Sequence, residues 1–156
     1  MGFLNSINIV GSGLTAQQLR LDIVAENVTN SQTTRVENGE GAYRRKMVVF
    51  EAISGRDSFR AALARASNGL IANTEQSTPA AGGVRVTEIV EDESPMKLVY
   101  DPTHPDANED GYVELPNVDM VMEMADAMAA TRAYASNVTA LNTLKSVISS
   151  GLEIGR

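Results

Sequence analysis

Two long stripes of mostly apolar positions, one near each end of the chain, repeat at alternating intervals of three and four residues. The first runs through Leu4, Ile7, Gly11, Leu14, Gln18, Leu21, Ala25 and Val28. The second runs through Met120, Met124, Ala127, Thr131, Tyr134, Val138, Leu141, Lys145, Ile148 and Leu152. A mean spacing of about 3.5 keeps one seam turned toward a partner helix over many turns. Neither stripe can bury itself alone, so each needs the other or a neighbouring subunit. Assembly is suggested before catalysis.

Between the stripes the chain changes character. Of its 156 residues, 43% are hydrophobic but only 4% aromatic, with no Trp, so the core is aliphatic and modest. That length fits one domain with helical extensions. The net charge of -7 argues against nucleic acid, because phosphate binding needs a basic patch. Residues 35–116 hold nine basic and fourteen acidic groups, which concentrates the negative charge in the middle and leaves the ends nearly neutral. With no cysteine, disulfides, thiolate catalysis and cysteine–zinc sites are excluded. No apolar run approaches the ~20 residues of a membrane span. The first residues lack the basic and continuous apolar regions of a cleavable signal. Gly2 followed by Ser6 fits the myristoylation spacing only formally.

The pattern predicts a first helix from about Asn5 or Ser6 to Asn30, ended by the Asn-, Ser-, Gln- and Thr-rich run that follows Val28. Gly11-Ser12-Gly13 either hinges this helix or lets another backbone approach Gly11 at a seam position. Residues 35–42 read as a loop, Tyr43 to Ile53 as a strand, and roughly 54–82 as a long loop, mobile in a free subunit. Val84 to Val90 is a strand, with Met96 to Tyr100 as its antiparallel partner across the acidic turn at residues 91–95. Asp101 to Leu115 reads as loop. Asn117 is the expected N-cap of a last helix of about 32 residues, with Asp119 favouring its positive end. The fold class expected is α+β: long terminal helices packing as a coiled-coil-like pair around a small β-rich middle. The domain division is 1–34, 35–116 and 117–156. The seams place an assembly surface at Leu14, Leu21, Ala25, Val28, Met124, Tyr134, Val138, Leu141 and Ile148. Without partners, such ends should fray in dilute solution.

An enzyme would have to work with one histidine. His104 lies among Asp101, Asp106 and Asp110, a set that could bind metal or do acid–base work, but Pro-Asp-His loops are more often turn chemistry. Gly11-Ser12-Gly13 is a poor phosphate loop, since no strand precedes it and no GK[ST] follows. Arg44-Arg45-Lys46 fits a solvated edge or a subunit contact better than an anion site. Met120, Met122, Met124 and Met128 either fill an ordinary core or form an adaptable surface for non-identical neighbours. No residue is therefore expected to serve catalysis, a cofactor or a metal.

Leu14 to Asp22 and Asn27-Val28-Thr29-Asn30 resemble the N-terminal signature of the bacterial flagellar axial proteins, the rod and hook subunits. Ala42-Tyr43-Arg44-Arg45-Lys46, Val49-Phe50, the segment from Val99 to Ala107, Gly111-Tyr112-Val113 and Pro116-Asn117-Val118 bring the resemblance to the proximal rod members. Ala130 to Tyr134, Asn137-Val138 and Leu152 to Gly155 extend it over nearly the whole chain. Glu26, Thr29 and Ala135-Ser136 depart from the usual pattern. The resemblance implies a non-enzymatic subunit of the flagellar rod, with the terminal helices as an inner tube and the middle as an outer domain. It implies export through the flagellar type III apparatus, residence in the extracytoplasmic basal body (periplasmic where an outer membrane exists), and no cofactor. The implied partners are copies of itself, FlgB, FlgF, FlgG and the rod-base adaptor FliE. A soluble coiled-coil adaptor or secreted protein with a β insert is the rival, and it leaves the joint occurrence of these motifs unexplained.

Overall fold

The computed structural model describes residues 3–36, 41–53 and 82–154. The architecture is α+β. Helix α1 spans Phe3–Thr29, and helix α2 spans Met120–Ile154, 35 residues or about 52 Å. Between them lie β1 (Lys46–Ala52), β2 (Val84–Glu91), β3 (Lys97–Tyr100) and β4 (Tyr112–Leu115). These form two two-stranded sheets, β1 with β2 and β3 with β4. The expected loop over 54–82 falls almost wholly outside the described residues.

Helix α1 runs unbroken through Gly11-Ser12-Gly13, so the glycines do not hinge it. Gly13 rather than Gly11 permits the close approach: a Cβ there would lie 2.9 Å from Asn137 Nδ2, whereas one at Gly11 would meet nothing within 4 Å. The helix ends as its Asn- and Thr-rich tail suggested. Asn30 turns both its backbone N and its Nδ2 to the Glu26 carbonyl, each at 3.0 Å. At the start of α2 the cap is Asp119, not Asn117. Asp119 Oδ1 accepts from Val121 N at 2.9 Å, and its carbonyl accepts from Glu123 N at 2.9 Å.

The strand pairing also differs from expectation. Strand β3 pairs with β4, which sequence reading left as loop, in the register Lys97↔Leu115 to Tyr100↔Tyr112. The segment after β2 cannot simply fold back. Asp92 Oδ1 binds Ser94 N, Asn117 Nδ2 holds the carbonyls of Asp92 and Ser94, and Pro95 has no N–H to donate. The β3–β4 hairpin closes instead over Gly111, at φ 80°, whose carbonyl accepts from Asp101 N at 2.9 Å. Tyr100 and Tyr112 meet edge to face at 5.3 Å. Val113, on the other face, is buried.

The chain divides into two compact units. One comprises residues 1–17, 50–87 and 133–156. In it, Ser12 Oγ accepts from Val84 N at 3.1 Å, tying α1 to the start of β2, and Ile53 N donates to the Gly83 carbonyl at 2.9 Å. The other comprises residues 18–49 and 88–132. There α1 and α2 run antiparallel, since Arg20 meets Asp126 while Asn27 meets Glu123. Its buried apolar side chains include Ile23, Val24, Ala42, Tyr43, Val113, Pro116, Val118 and Ala130.

The glycines give a direct check. Gly83 sits at φ 127°, and a Cβ there would lie 2.7 Å from Ser12 Oγ. Gly83→Ala should therefore lower stability by about 1–3 kcal/mol. Gly11→Ala, in open helix, should raise it by up to about 1 kcal/mol. Thermal melts of the two variants should move in opposite directions, and a common direction would contradict this placement.

Candidate functional site

The side chain that organises the second unit is Glu123, which is wholly buried. A carboxylate without solvent must be neutralised and hydrogen-bonded to remain charged. Arg45, at the entry to β1, donates from Nε to Glu123 Oε1 at 2.6 Å. Asn27, from the last turns of α1 and 1% exposed, donates from Nδ2 to Glu123 Oε2 at 3.1 Å. The same Nδ2 donates to the Lys46 carbonyl, while Oδ1 accepts from Tyr43 Oη and Lys46 N, all three at 2.9 Å. The Asn27 amide thus fills all four of its hydrogen-bonding positions.

A ring of ion pairs surrounds this centre. Lys46 Nζ lies 2.6 Å from Glu26 Oε1, and Arg20 Nη2 lies 2.8 Å from Asp126 Oδ1. Arg45 Nη1 faces Asp92 Oδ2 at 3.6 Å, and its backbone N donates to Asn117 Oδ1 at 2.8 Å. Burial opposes the Arg45 charge, but the hydrogen bond and charge of Glu123, with Asp92 and Asp126 behind them, leave its pKa raised. Burial, then the charges of Glu26 and Glu123, push the Tyr43 phenol well above its ordinary range. Hydrogen bonds from Ser94, and secondarily Arg45, hold the Asp92 carboxyl below its usual value.

Arg45 and Lys46 are accordingly tied within this unit rather than lying on the free edge their sequence suggested, while Arg44 stays exposed. Apolar spacing does not reveal this cluster, because it reports nothing of where polar side chains such as Asn27, Arg45 and Glu123 are buried. The one available signal was the density of Asn, Tyr and Arg in short motifs beside the helix ends.

The helix faces are also re-phased. Along α1 the positions turned to α2 are Gly13, Ala16, Arg20, Ile23 and Asn27, spaced three and four apart. Leu14, Leu21, Ala25 and Val28 lie about 130° around the helix from that line. Three of these are half-buried, and Ala25 is exposed. Along α2 the less exposed line is Glu123, Ala127, Ala130, Tyr134, Asn137, Leu141, Leu144 and Ile148. Tyr134, Leu141 and Ile148 lie on it; Val138 is half-buried beside it, and Met124 is 54% exposed.

The outward faces of both helices carry little charge. Helix α1 contains only Arg20, Asp22 and Glu26, and among the exposed residues of α2 only Arg132, Lys145 and Glu153 are charged. Met120, Val121, Met122, Met124 and Met128 are all at least 44% exposed. Every threonine of the two helices is exposed: Thr15, Thr29, Thr131, Thr139 and Thr143. Each hydroxyl already donates to the carbonyl four residues back, at 2.8 to 3.1 Å. Such a face can lose its water without stranding a donor.

His104 shows no comparable convergence. Its Nδ1 accepts from Asp106 N at 3.1 Å, Asp101 serves Thr103, and Asp106 takes Thr34 and Arg35. No group of three acidic or histidine side chains among the described residues is placed to hold a metal ion. Beside this loop is an open depression of about 420 Å³, whose lining includes Thr34, Arg35, Asp106 and Tyr112.

Two measurements check the cluster. Glu123→Ala leaves Arg45 only the longer contacts to Asp92 and Asp126 and strands one Asn27 donor, and should cost about 2–3 kcal/mol, against about 1 kcal/mol for Tyr43→Phe. Because the folded state holds the Tyr43 proton above the ordinary value of 10, the unfolded chain loses its proton first. This contribution is intact below about pH 10 and is lost as pH rises. Alkaline unfolding of Tyr43→Phe should therefore depend less steeply on pH than that of the native chain.

Comparison with known proteins bears on what the helices and this cluster serve. The model for flagella basal body rod proteins matches residues 7–35, and that for the flagellar basal body rod FlgEFG protein C-terminal region matches residues 109–154. The chain is 45% identical to the flagellar basal-body rod protein FlgC of Bacillus subtilis (strain 168), covering 100% of both sequences. It is 41% identical to FlgC of Borreliella burgdorferi, over 99% of this chain and 98% of that protein. It is 39% identical to FlgC of Escherichia coli O157:H7, over 100% of both. The fold and its polar centre are thus those of a member of the FlgC family of flagellar basal-body rod proteins, to which this chain belongs.

Proposed function

We propose that the chain is a structural subunit of the proximal flagellar rod, joined to its neighbours through the outward faces of α1 and α2 and acting as part of a drive shaft rather than as an enzyme. The observation that carries this reading is the state of those faces. Both are long and nearly uncharged, that of α2 is rich in Ala, Met and Ser, and their threonine hydroxyls are already bonded to backbone. A helix meant to stay in water normally carries charge opposite its buried stripe. Here that face is suited to a second burial.

The family relation supports association with other rod components. Within it, the neighbours proposed are copies of this chain, FlgB, FlgF, FlgG and FliE, with the flagellar type III export apparatus met in transit. The residence proposed is the basal body outside the cytoplasmic membrane. No helix among the described residues is long and apolar enough to cross a membrane. Leu14, Leu21, Ala25 and Val28, off the line of α1 that is turned to α2, are assigned to contacts between subunits. Met124 belongs with them on the exposed flank of α2. Tyr134, Val138, Leu141 and Ile148 are assigned to the continuous seam that such contacts complete.

Thr139→Asp tests the reading. Thr139 is exposed, so the free subunit should melt within about 0.5 kcal/mol of the native chain. In an assembled rod the same aspartate would be buried without a partner, at a cost of several kcal/mol for each copy. In a strain lacking its own subunit, the native chain should restore swimming and Thr139→Asp should not. Normal swimming with the variant would remove this face of α2 from the assembly. A closed dimer at all concentrations would instead favour a soluble coiled-coil adaptor.

A further inference from the structure

Apart from its polar cluster and the part-exposed Arg20–Asp126 pair, the seam of the second unit contains little that distinguishes one register from another. Its apolar members are Ile23, Ala127 and Ala130, with Val24 beside them, and small aliphatic side chains of this kind pack acceptably after a slip of one heptad. Hydrophobic burial alone would therefore leave α1 and α2 several docking positions of similar depth. The polar cluster behaves differently. Asn27 reaches a fully bonded state only with Tyr43 and Lys46 on one side and Glu123 on the other. Slid by seven residues, Asn27 stands opposite Ala130, and Glu123 loses both Arg45 and Asn27 inside a region without water.

We infer that Asn27, Arg45 and Glu123 form a register lock: they select one docking of α1 on α2 and β1, so that each subunit presents its outward helix faces in a single arrangement. These are positioning residues. Their contribution lies in the gap between the correct docking and slipped ones more than in the depth of the correct one, as for a lone polar side chain in a coiled-coil seam. The inference rests on the rod reading for its biological consequence but not for the lock itself. A polymer joined through helix faces tolerates no mixture of registers, because a slipped subunit offers its neighbour a displaced surface.

The test uses the full chain, labelled with nitrogen-15, and the double variant Arg45→Met/Glu123→Leu, which removes both charges and leaves apolar volume behind. Its melting temperature should exceed that of Arg45→Met alone, in which Glu123 is buried unpaired. Its amide spectrum should nevertheless show a second set of resonances for residues 18–29 and 120–132, at ~10% or more of the intensity. Swimming restored by the native chain should be lost with the double variant. A single set of resonances, whether or not swimming is lost, would overturn the lock. Doubled resonances with normal swimming would keep the lock and remove its importance for assembly. If the native chain itself failed to restore swimming, the rod reading would fall while the spectra still decided the lock. Should the double variant not fold, Tyr43→Phe, which removes one hydroxyl from Asn27, takes its place under the same criterion.

Discussion

A carboxylate that no solvent reaches sets the terms for the second unit. Glu123 has 0% exposure, and its two oxygens are taken by Arg45 and Asn27. Those partners come from β1's entry and from α1, so the charge is stable only when three distant stretches of chain meet. Much else follows from that meeting. Arg45 N is held by Asn117, whose amide in turn fixes the turn after β2. That turn sends β3 away from β2 and toward β4. The N-cap of α2 falls two residues beyond Asn117, at Asp119, because Asn117 is already occupied. A polar contact worth little in net free energy can still determine geometry, since every alternative strands it.

The helices answer to two demands at once. Their inner lines include the small residues Gly13, Ala16, Ala127 and Ala130, which allow close approach where larger side chains would hold the backbones apart. Their outer faces are equally poor in charge. The back-bonded threonines reconcile the two states of such a face: in water the methyl groups are exposed at modest cost, and in an assembly no hydroxyl is left without a partner. The acidic residues concentrated in 35–116 leave net charge off the faces that would have to meet.

Among the described residues, both helices and three of the four strands were legible in the sequence, as was the α+β class, because periodicity and β-branched runs report burial of apolar side chains. The face that each helix buries was not. Spacing rules treat Arg20, Asn27 and Glu123 as solvent-facing, so they selected Leu14, Leu21 and Val28 as the seam, about 130° away on α1. On α2 the same rules found Ala127, Tyr134, Leu141 and Ile148 but chose Thr131 and Lys145 over Ala130 and Leu144, because a stripe between them looked continuous. Strand β4 was hidden by its length of four residues and by the Asp- and Gly-rich turn before it. The pairing of β3 was hidden by a side chain, Asn117, acting at a distance of more than twenty residues.

Three of the short segments that carried the resemblance in sequence, Asn27 to Asn30, Ala42 to Lys46 and Pro116 to Val118, converge on Glu123 or flank it. Physical chemistry gives a reason. A seam needs volume and apolarity, which many side chains provide, so its residues are weak identifiers. A saturated hydrogen-bond centre needs particular atoms at particular distances: an amide with two donors and two acceptor positions, a phenol, a guanidinium and a carboxylate. Leucine can stand for isoleucine in the first role, but aspartate cannot stand for Asn27 in the second, because it brings no donor for Glu123 or the Lys46 carbonyl. At these three segments motif and geometry coincide, whereas the faces proposed for assembly, where composition suffices, are read only from what they lack.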